Sequence, residues 1–273
     1  MTESRRELAA RRDAITAQIQ ELGQIVVAFS GGVDSSLVAA LAFESVGDGA
    51  LAVTAVSETL GGRELEDAQR IAAEIGIRHE LVTFSELDDD RFVANDASRC
   101  YFCQSMRFDQ LRLLAETVGC DVLASGTNYD DLGDHRPGLR AMEQRRIYQP
   151  LLEHRITKSE VRQLARDAGL SAWNKPAKAC LSSRIPHGIS VTNDRLRRIE
   201  QAEDVLDDLD FREYRVRDHN GVARIEVATA ELDRLLVQIA QIGPRIRAAG
   251  FKTVTVDLSG FRSGSLNPVR RSD

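Results

Sequence analysis

Ile25-Val26-Val27-Ala28-Phe29-Ser30-Gly31-Gly32-Val33-Asp34-Ser35-Ser36 carries more structural information than any other stretch of the chain. Its first five residues form an apolar run of the length expected for a strand buried on both faces. Two glycines then allow a tight turn and close backbone approach, and a helix is predicted from about Asp34 to Val46. A strand that runs through small residues into a helix presents unpaired N–H groups and a positive dipole end to an anion. The serine hydroxyls add donors. The run lacks the Gly-Lys-Ser/Thr ending of a Walker loop, so it reads as a phosphate cradle of another kind.

The flanking sequence repeats the strand–helix alternation. Leu8, Ile15, Ile19 and Leu22 recur at helical spacing before the strand. After it come a strand over 51–56, a helix over 63–75 stopped by Gly76, a strand over 79–82, a helix over 104–118 and a strand over 121–124. Such alternation implies βαβ units, hence a mostly parallel, doubly wound α/β sheet with ligands at the carboxyl ends of its strands. Thr157-Lys158-Ser159-Glu160 is a capping box opening a helix to Ala168. A long loop, 170–188, follows. The pattern then changes to helix 193–209, a hairpin around His219-Asn220-Gly221, helix 230–249 and strand 254–258. We expect a first domain over 1–188 and a smaller α+β domain over 189–273.

Composition narrows the function classes. The 273 residues include 36 basic and 42 acidic, a formal charge of −6. A nucleic-acid binder usually shows a basic excess, so no nucleic-acid partner is expected. No apolar run approaches the ~20 residues of a membrane span. The start, Met1-Thr2-Glu3-Ser4-Arg5-Arg6, shows no secretory pattern, so a cytoplasmic location is expected. There the cysteines read as ligands, catalysts or core residues rather than disulfides.

Four further features carry chemistry. Ser125-Gly126-Thr127-Asn128-Tyr129-Asp130-Asp131 ends the fourth strand; small residues admit a nucleotide, and the paired carboxylates suit Mg²⁺. Lys158 starts its helix within reach of phosphate oxygens. Cys100 and Cys103 form a C-x2-C pair, and Cys180 lies on the long loop. Three thiolates suit a 4Fe-4S cluster with one open iron, whereas zinc would require a fourth ligand such as His187. Cys120 reads as core. Arg215 and Arg217, two apart on a predicted strand, project from one face and suit a phosphate-bearing substrate, with Glu200, Glu203 and Glu226 as candidate neighbours.

Ser30–Ser36 resembles the PP-loop of the ATP pyrophosphatase superfamily, which splits ATP between its α- and β-phosphates. Together with GTNYDDLGDHRPGLRA, PLLEHRITKSEVRQLARDAGL, KPAKACLSSRIPHG, RVRDHNGVARIEV and DLSGFRSGSLN, it makes the chain similar to the LarE family of sulfur transferases over nearly its whole length. That resemblance implies an enzyme that adenylates the carboxylates of pyridinium-3,5-biscarboxylic acid mononucleotide and converts them to thiocarboxylates. It implies ATP and Mg²⁺ at Ala28, Ser30, Gly31, Gly32, Asp34, Ser35, Ser36, Ser57, Gly126, Thr127, Asp131 and Lys158. The substrate would meet Ser183, Arg184, Glu200, Arg215 and Arg217, and Cys180 would be the sulfur-handling residue. With Cys100 and Cys103 present, the chain resembles the branch that holds a 4Fe-4S cluster. In the other branch the cysteine gives up its own sulfur. A sulfide or sulfur-delivery partner and a homo-oligomer are implied too. Family members often place lysine after the C-x2-C pair; here it is Gln104, and that charge is absent or supplied by Arg107. The alternatives are a PP-loop tRNA thiolase, an ATP-dependent amidotransferase, for which no glutaminase block is visible, and a non-enzymatic nucleotide sensor or metal store.

Overall fold

Apolar residues alternate between two layers along the central strands, and this alternation organises the first half of the chain. The computed structural model describes residues 3–133 and 137–262. Met1 and Thr2, the Asp134–Arg136 part of the GTNYDDLGDHRPGLRA motif and the Ser263–Asn267 part of DLSGFRSGSLN lie outside the described residues. In chain order the elements are α1 (Glu3–Leu22), β1 (Ile25–Ala28), α2 (Val33–Val46), β2 (Ala50–Val56), α3 (Gly62–Ile75), β3 (Arg78–Thr83), α4 (Asp90–Val93), α5 (Arg99–Thr117), β4 (Leu123–Ala124), α6 (Pro137–Gln144), α7 (Pro150–Glu153), α8 (Lys158–Asp167), α9 (Asn193–Asp207), β5 (Tyr214–His219), β6 (Val222–Val227), α10 (Leu232–Ala248) and β7 (Thr253–Val256).

The chain divides into two compact units. The first takes in residues up to Ser85 together with Cys100–Ala177; the second takes in Glu86–Arg99 and the chain from Lys178 on.

In the first unit the sheet order is β3-β2-β1-β4, and every pairing is parallel. Ile25, Val27, Ala50 and Ala52 face a core shared with α1, α2, α3 and α8. Val26, Leu51 and Val53 face the opposite layer, where Phe108, Leu111 and Ala115 of α5 cover them. Both faces are therefore covered, as in a doubly wound sheet. Each large aliphatic side chain so buried contributes roughly 1.5–3 kcal/mol. Strand order reverses between β1 and β4, so the crevice outside their carboxyl ends is the ligand position of such a sheet.

In the second unit β5 and β6 pair antiparallel around Asn220-Gly221, and β7 joins β6 in parallel. Leu196, Ile199 and Leu206 of α9 and Leu235, Ile242 and Ile246 of α10 are buried with Val216 and Ile225 of the strands.

Two details differ from the sequence expectation. Cys100 and Cys103 do not precede a helix; they lie in the first turns of α5, which begins at Arg99. The fourth strand is Leu123–Ala124 alone. The 170–188 loop contains two short 3-10 turns, Ser171–Asn174 and Leu181–Arg184. No helix among the described residues is long and apolar enough to cross a membrane.

Candidate functional site

In the first unit, the ends of β1 and β4 meet at the start of α2. Gly31 takes φ +64°, and a Cβ there would lie 2.7 Å from the Ala68 Cα, so the turn is pressed against α3. Gly126 is equally constrained: a Cβ would lie 2.6 Å from the Ser35 backbone nitrogen. Only glycine fits between the β4 end and the first turn of α2. The serines organise the loop. Ser35 Oγ donates to the Gly32 carbonyl at 3.1 Å and lies 3.2 Å from Ser30 Oγ. Ser36 Oγ is fully buried and has no hydrogen-bond partner among the described residues. A buried hydroxyl in that state costs free energy that an anion at the helix N-terminus would recover.

Asp34 gathers the other predicted residues. Asn128 Nδ2 donates to its Oδ1 at 3.1 Å, and the Lys158 ammonium is bonded to its Oδ2. Lys158 thus reaches the loop, where it pairs with Asp34. The carboxylates proposed for Mg²⁺ brace the turn: Asp131 accepts from the Asn128 N–H at 3.0 Å and Asp130 from the Lys158 N–H at 2.8 Å. Ser57 Oγ lies 3.1 Å from Thr59 Oγ1, and Thr127 Oγ1 3.0 Å from Ser125 Oγ. Ala28 is the last residue of β1. Sequence reading missed Lys175, whose Nζ donates to the Gly31 carbonyl at 3.2 Å. It also missed Asn128 as a partner of Asp34; the polar residue following Gly126-Thr127 was its only signal.

Ser36→Ala gives a clean test of this cradle. The variant removes a group with no partner among the described residues, so its melting temperature should not fall. Its rate of AMP formation should fall at least tenfold through loss of about one hydrogen bond to a charged group. Asp34→Ala should abolish AMP formation. Unchanged pyrophosphate release in both variants would remove the loop from the chemistry.

In the second unit the predicted anion-binding residues cluster on β5 and the Cys180 loop. Arg217 donates from Nε and Nη2 to Glu226 at 3.1 and 2.9 Å, and from Nη1 to the Ser183 carbonyl at 2.9 Å. Arg215 is buried, its guanidinium 4.9 Å from the Phe261 ring centre. Burial, then repulsion from Arg184, outweighs the attraction of Glu203 and pushes the Arg215 guanidinium down to about 10. It remains cationic at neutral pH in surroundings that favour an added anion. Arg184, fully buried, donates to both Glu203 oxygens and to the Ala179 and Cys180 carbonyls. It therefore braces the cysteine loop from within. Glu200 is half-buried on α9. Cys180 is half-buried, its Sγ 3.2 Å from Ser182 Oγ. Asn95 donates to the carbonyls of Ile185, Pro186 and Ile189, and Arg99 donates to that of Ser182. His187 Nδ1 lies 3.3 Å from the Asn95 carbonyl, an arrangement that metal-ligating histidines commonly adopt.

All four cysteines are present as thiols. Cys100 and Cys103 stand one helical turn apart on α5, the first exposed and the second buried, with Arg107 Nη2 3.8 Å from Cys103 Sγ. Gln104 packs on α6: a Cβ on Gly138 would lie 2.8 Å from Gln104 Cγ. Among the described residues no three His, Cys, Asp or Glu side chains are gathered to hold a metal ion. The donor chemistry of Cys100, Cys103 and Cys180 suits iron–sulfur ligation.

Known proteins match this architecture. Residues 9–108 match the asparagine synthase family. An uncharacterised protein of Synechocystis is 43% identical over 91% of this chain and 94% of its own length. The pyridinium-3,5-bisthiocarboxylic acid mononucleotide synthase of Lactiplantibacillus plantarum is 36% identical over 95% of both chains. A tRNA-specific 2-thiouridylase of Zymomonas mobilis is 32% identical over 56% of this chain and 51% of its own. End-to-end identity at that level, with a PP-loop cradle closed by Gly126 and Lys158, means that the chain belongs to the LarE family of ATP-dependent PP-loop sulfurtransferases.

Proposed function

We propose that this enzyme adenylates the carboxylates of pyridinium-3,5-biscarboxylic acid mononucleotide and converts them to thiocarboxylates. The observation that carries the reading is the end-to-end likeness to the Lactiplantibacillus plantarum synthase. The tRNA thiolases match only part of the chain, and the formal charge of −6 argues against a polyanionic partner.

A carboxylate is a poor electrophile because its leaving group would be oxide. Attack of a substrate carboxylate oxygen on the α-phosphorus of ATP forms a mixed anhydride and releases pyrophosphate. The backbone N–H groups at the start of α2, with Ser36 and Lys158, hold the departing phosphates, and Asp34 takes part in holding Mg²⁺. A sulfide nucleophile then attacks the acyl carbon, and AMP leaves with the original carboxylate oxygen. Arg215 and Arg217 hold the substrate's phosphate or its second carboxylate. Cys100, Cys103 and Cys180 are the residues that would hold a 4Fe-4S cluster, which when bound supplies the transferable sulfide. A sulfide source or sulfur-delivery partner belongs to this reading. The test is incubation with ATP, Mg²⁺, sulfide and the dicarboxylate nucleotide under anaerobic conditions, with mass detection of the thiocarboxylate product. Release of AMP without sulfur incorporation would sink the reading.

Arg215→Ala should weaken the dicarboxylate nucleotide by roughly 1.5–3 kcal/mol, the value of one hydrogen bond to a charged group. ATP affinity should stay within twofold. Equal loss of both, measured by calorimetry, would place Arg215 elsewhere.

A further inference from the structure

Lys175 opens the KPAKACLSSRIPHG stretch and bonds to the phosphate loop, a contact that the stretch itself does not reveal. It follows the Ser171–Asn174 turn, and its side chain is 16% exposed. Its Nζ makes two bonds, one to the Gly31 carbonyl at 3.2 Å and one to Asp67 Oδ2 of α3 at 2.9 Å. Both ends of this contact are braced. Arg162 of α8 donates to the carbonyls of Trp173 and Lys175 at 2.7 and 3.0 Å. Arg70 bonds Asp67 at 2.9 Å and Ser171 Oγ at 3.1 Å, and Glu74 accepts from the Ser171 N–H at 2.6 Å. Burial alone would raise the Asp67 carboxyl; the bonds from Lys175 and Arg70 outweigh it and hold that group below its usual range.

The peptide geometry fixes which side of the loop the ammonium occupies. In a trans peptide the C=O and N–H point in opposite directions. With the Gly31 carbonyl turned to Lys175, the Gly32 N–H is turned to the other side, where it donates to Ser30 Oγ at 3.3 Å. Gly31 lies against α3 with no room for a Cβ, and a glycine has the backbone freedom to turn its peptide plane, so the orientation of that plane depends on what holds the carbonyl. A cation on the oxygen end of a peptide dipole also strengthens its N–H as a donor.

We propose that Lys175 is a positioning residue for the pyrophosphate half of ATP. It clamps the Gly31–Gly32 peptide so that the Gly32 N–H faces the anion, and it does so from the opposite side without touching a phosphate. Asp67 holds the ammonium in place. The inference rests on the pyrophosphate-binding reading of the loop.

The test is calorimetric titration of the full chain with inorganic pyrophosphate plus Mg²⁺ and, separately, with AMP. In Lys175→Met, pyrophosphate binding should weaken about tenfold, as for the loss of one charge-assisted contact. AMP, which lacks the β- and γ-phosphates, should bind as in the wild type. Lys175→Arg, which keeps a donor and the charge, should recover most of the loss. Lys175→Gln serves as a second neutral variant should the methionine chain fold poorly, and melting temperatures report that directly. Pyrophosphate affinity unchanged in both neutral variants, or pyrophosphate and AMP weakened alike, would overturn the role of Lys175. Wild-type protein that does not bind pyrophosphate would instead overturn the reading of the loop itself, and this inference with it.

Discussion

Cys100→Ala, Cys103→Ala and Cys180→Ala are each expected to abolish thiocarboxylate formation while ATP is still cleaved to pyrophosphate. Adenylation depends on the PP-loop of the first unit, and none of its residues is a cysteine. Sulfur transfer, in the reading proposed above, needs all three thiols. Anaerobic wild-type protein supplied with iron and sulfide should be brown, and each of the three variants should be colourless. Cys120→Ala is the control. Its thiol is buried among Val26, Leu51 and Leu123 and donates to the Val122 carbonyl at 3.4 Å, so it belongs to the core and should leave colour and activity unchanged. Turnover should exceed one per chain, and Cys180 should keep its mass. A colourless enzyme whose Cys180 loses ~34 Da of H₂S after a single reaction would sink this expectation. The cysteine would then be consumed as the sulfur source rather than serving as a ligand.

Arg184→Met should cost about 3–5 kcal/mol of stability, the usual result of removing one partner of a buried ion pair. Arg184 is 1% exposed, and Glu203 receives its Nε and Nη2 at 2.9 and 2.8 Å. Burial pushes the Glu203 carboxyl up, but the charge and hydrogen bonds of Arg184 and the Val216 N–H outweigh that and hold it below the usual range. The native contribution is therefore fully present above the unfolded carboxylate value of ~4.3 and fades as pH falls through the lowered native value. Without Arg184 burial dominates, the native carboxyl rises, and the sign reverses. The variant should grow more stable as pH drops from 8 to 5, whereas the wild type should not. Urea unfolding at both pH values measures this. Parallel slopes for the two proteins would show that Glu203 does not depend on Arg184, and Arg184→Met/Glu203→Gln should regain part of the loss.

The legible parts of the fold were those written in local periodicity. The apolar runs at 25–29 and 51–56 and the helical stripes beside them gave the parallel sheet, because each signal lies within a dozen residues. Ser30–Ser36 was readable as an anion cradle for the same reason. The α5 start was not: Cys100-Tyr101-Phe102-Cys103 has no apolar stripe of its own, and its helical state comes from the turns that follow it. Lys175 escaped notice because its importance lies in a contact with Gly31, far away in the chain and made through a backbone oxygen that no side-chain pattern encodes. Asp130 and Asp131 read as carboxylates suited to Mg²⁺; that they also accept the Lys158 and Asn128 N–H groups shows only in three dimensions. Glutamate neighbours were expected for Arg215 and Arg217, but which one bonds was hidden: Arg217 takes Glu226, while Arg215 bonds the Tyr214 carbonyl, and both are buried.

The second unit is not continuous in sequence: it borrows Glu86–Arg99 from between two segments of the first. During synthesis these residues leave the ribosome long before Ser182, Ile185, Pro186 and Ile189, the carbonyl partners of Arg99 and Asn95, have been made. At about 5–20 residues per second, that interval lasts seconds, during which Asn95 and Arg99 lack these carbonyl partners. A fragment cut at the apparent boundary and begun at Lys178 would never acquire them. Its cysteine loop would lack four of the hydrogen bonds that shape it. The Cys180 loop thus gains these bonds only once the chain up to Ile189 has been translated.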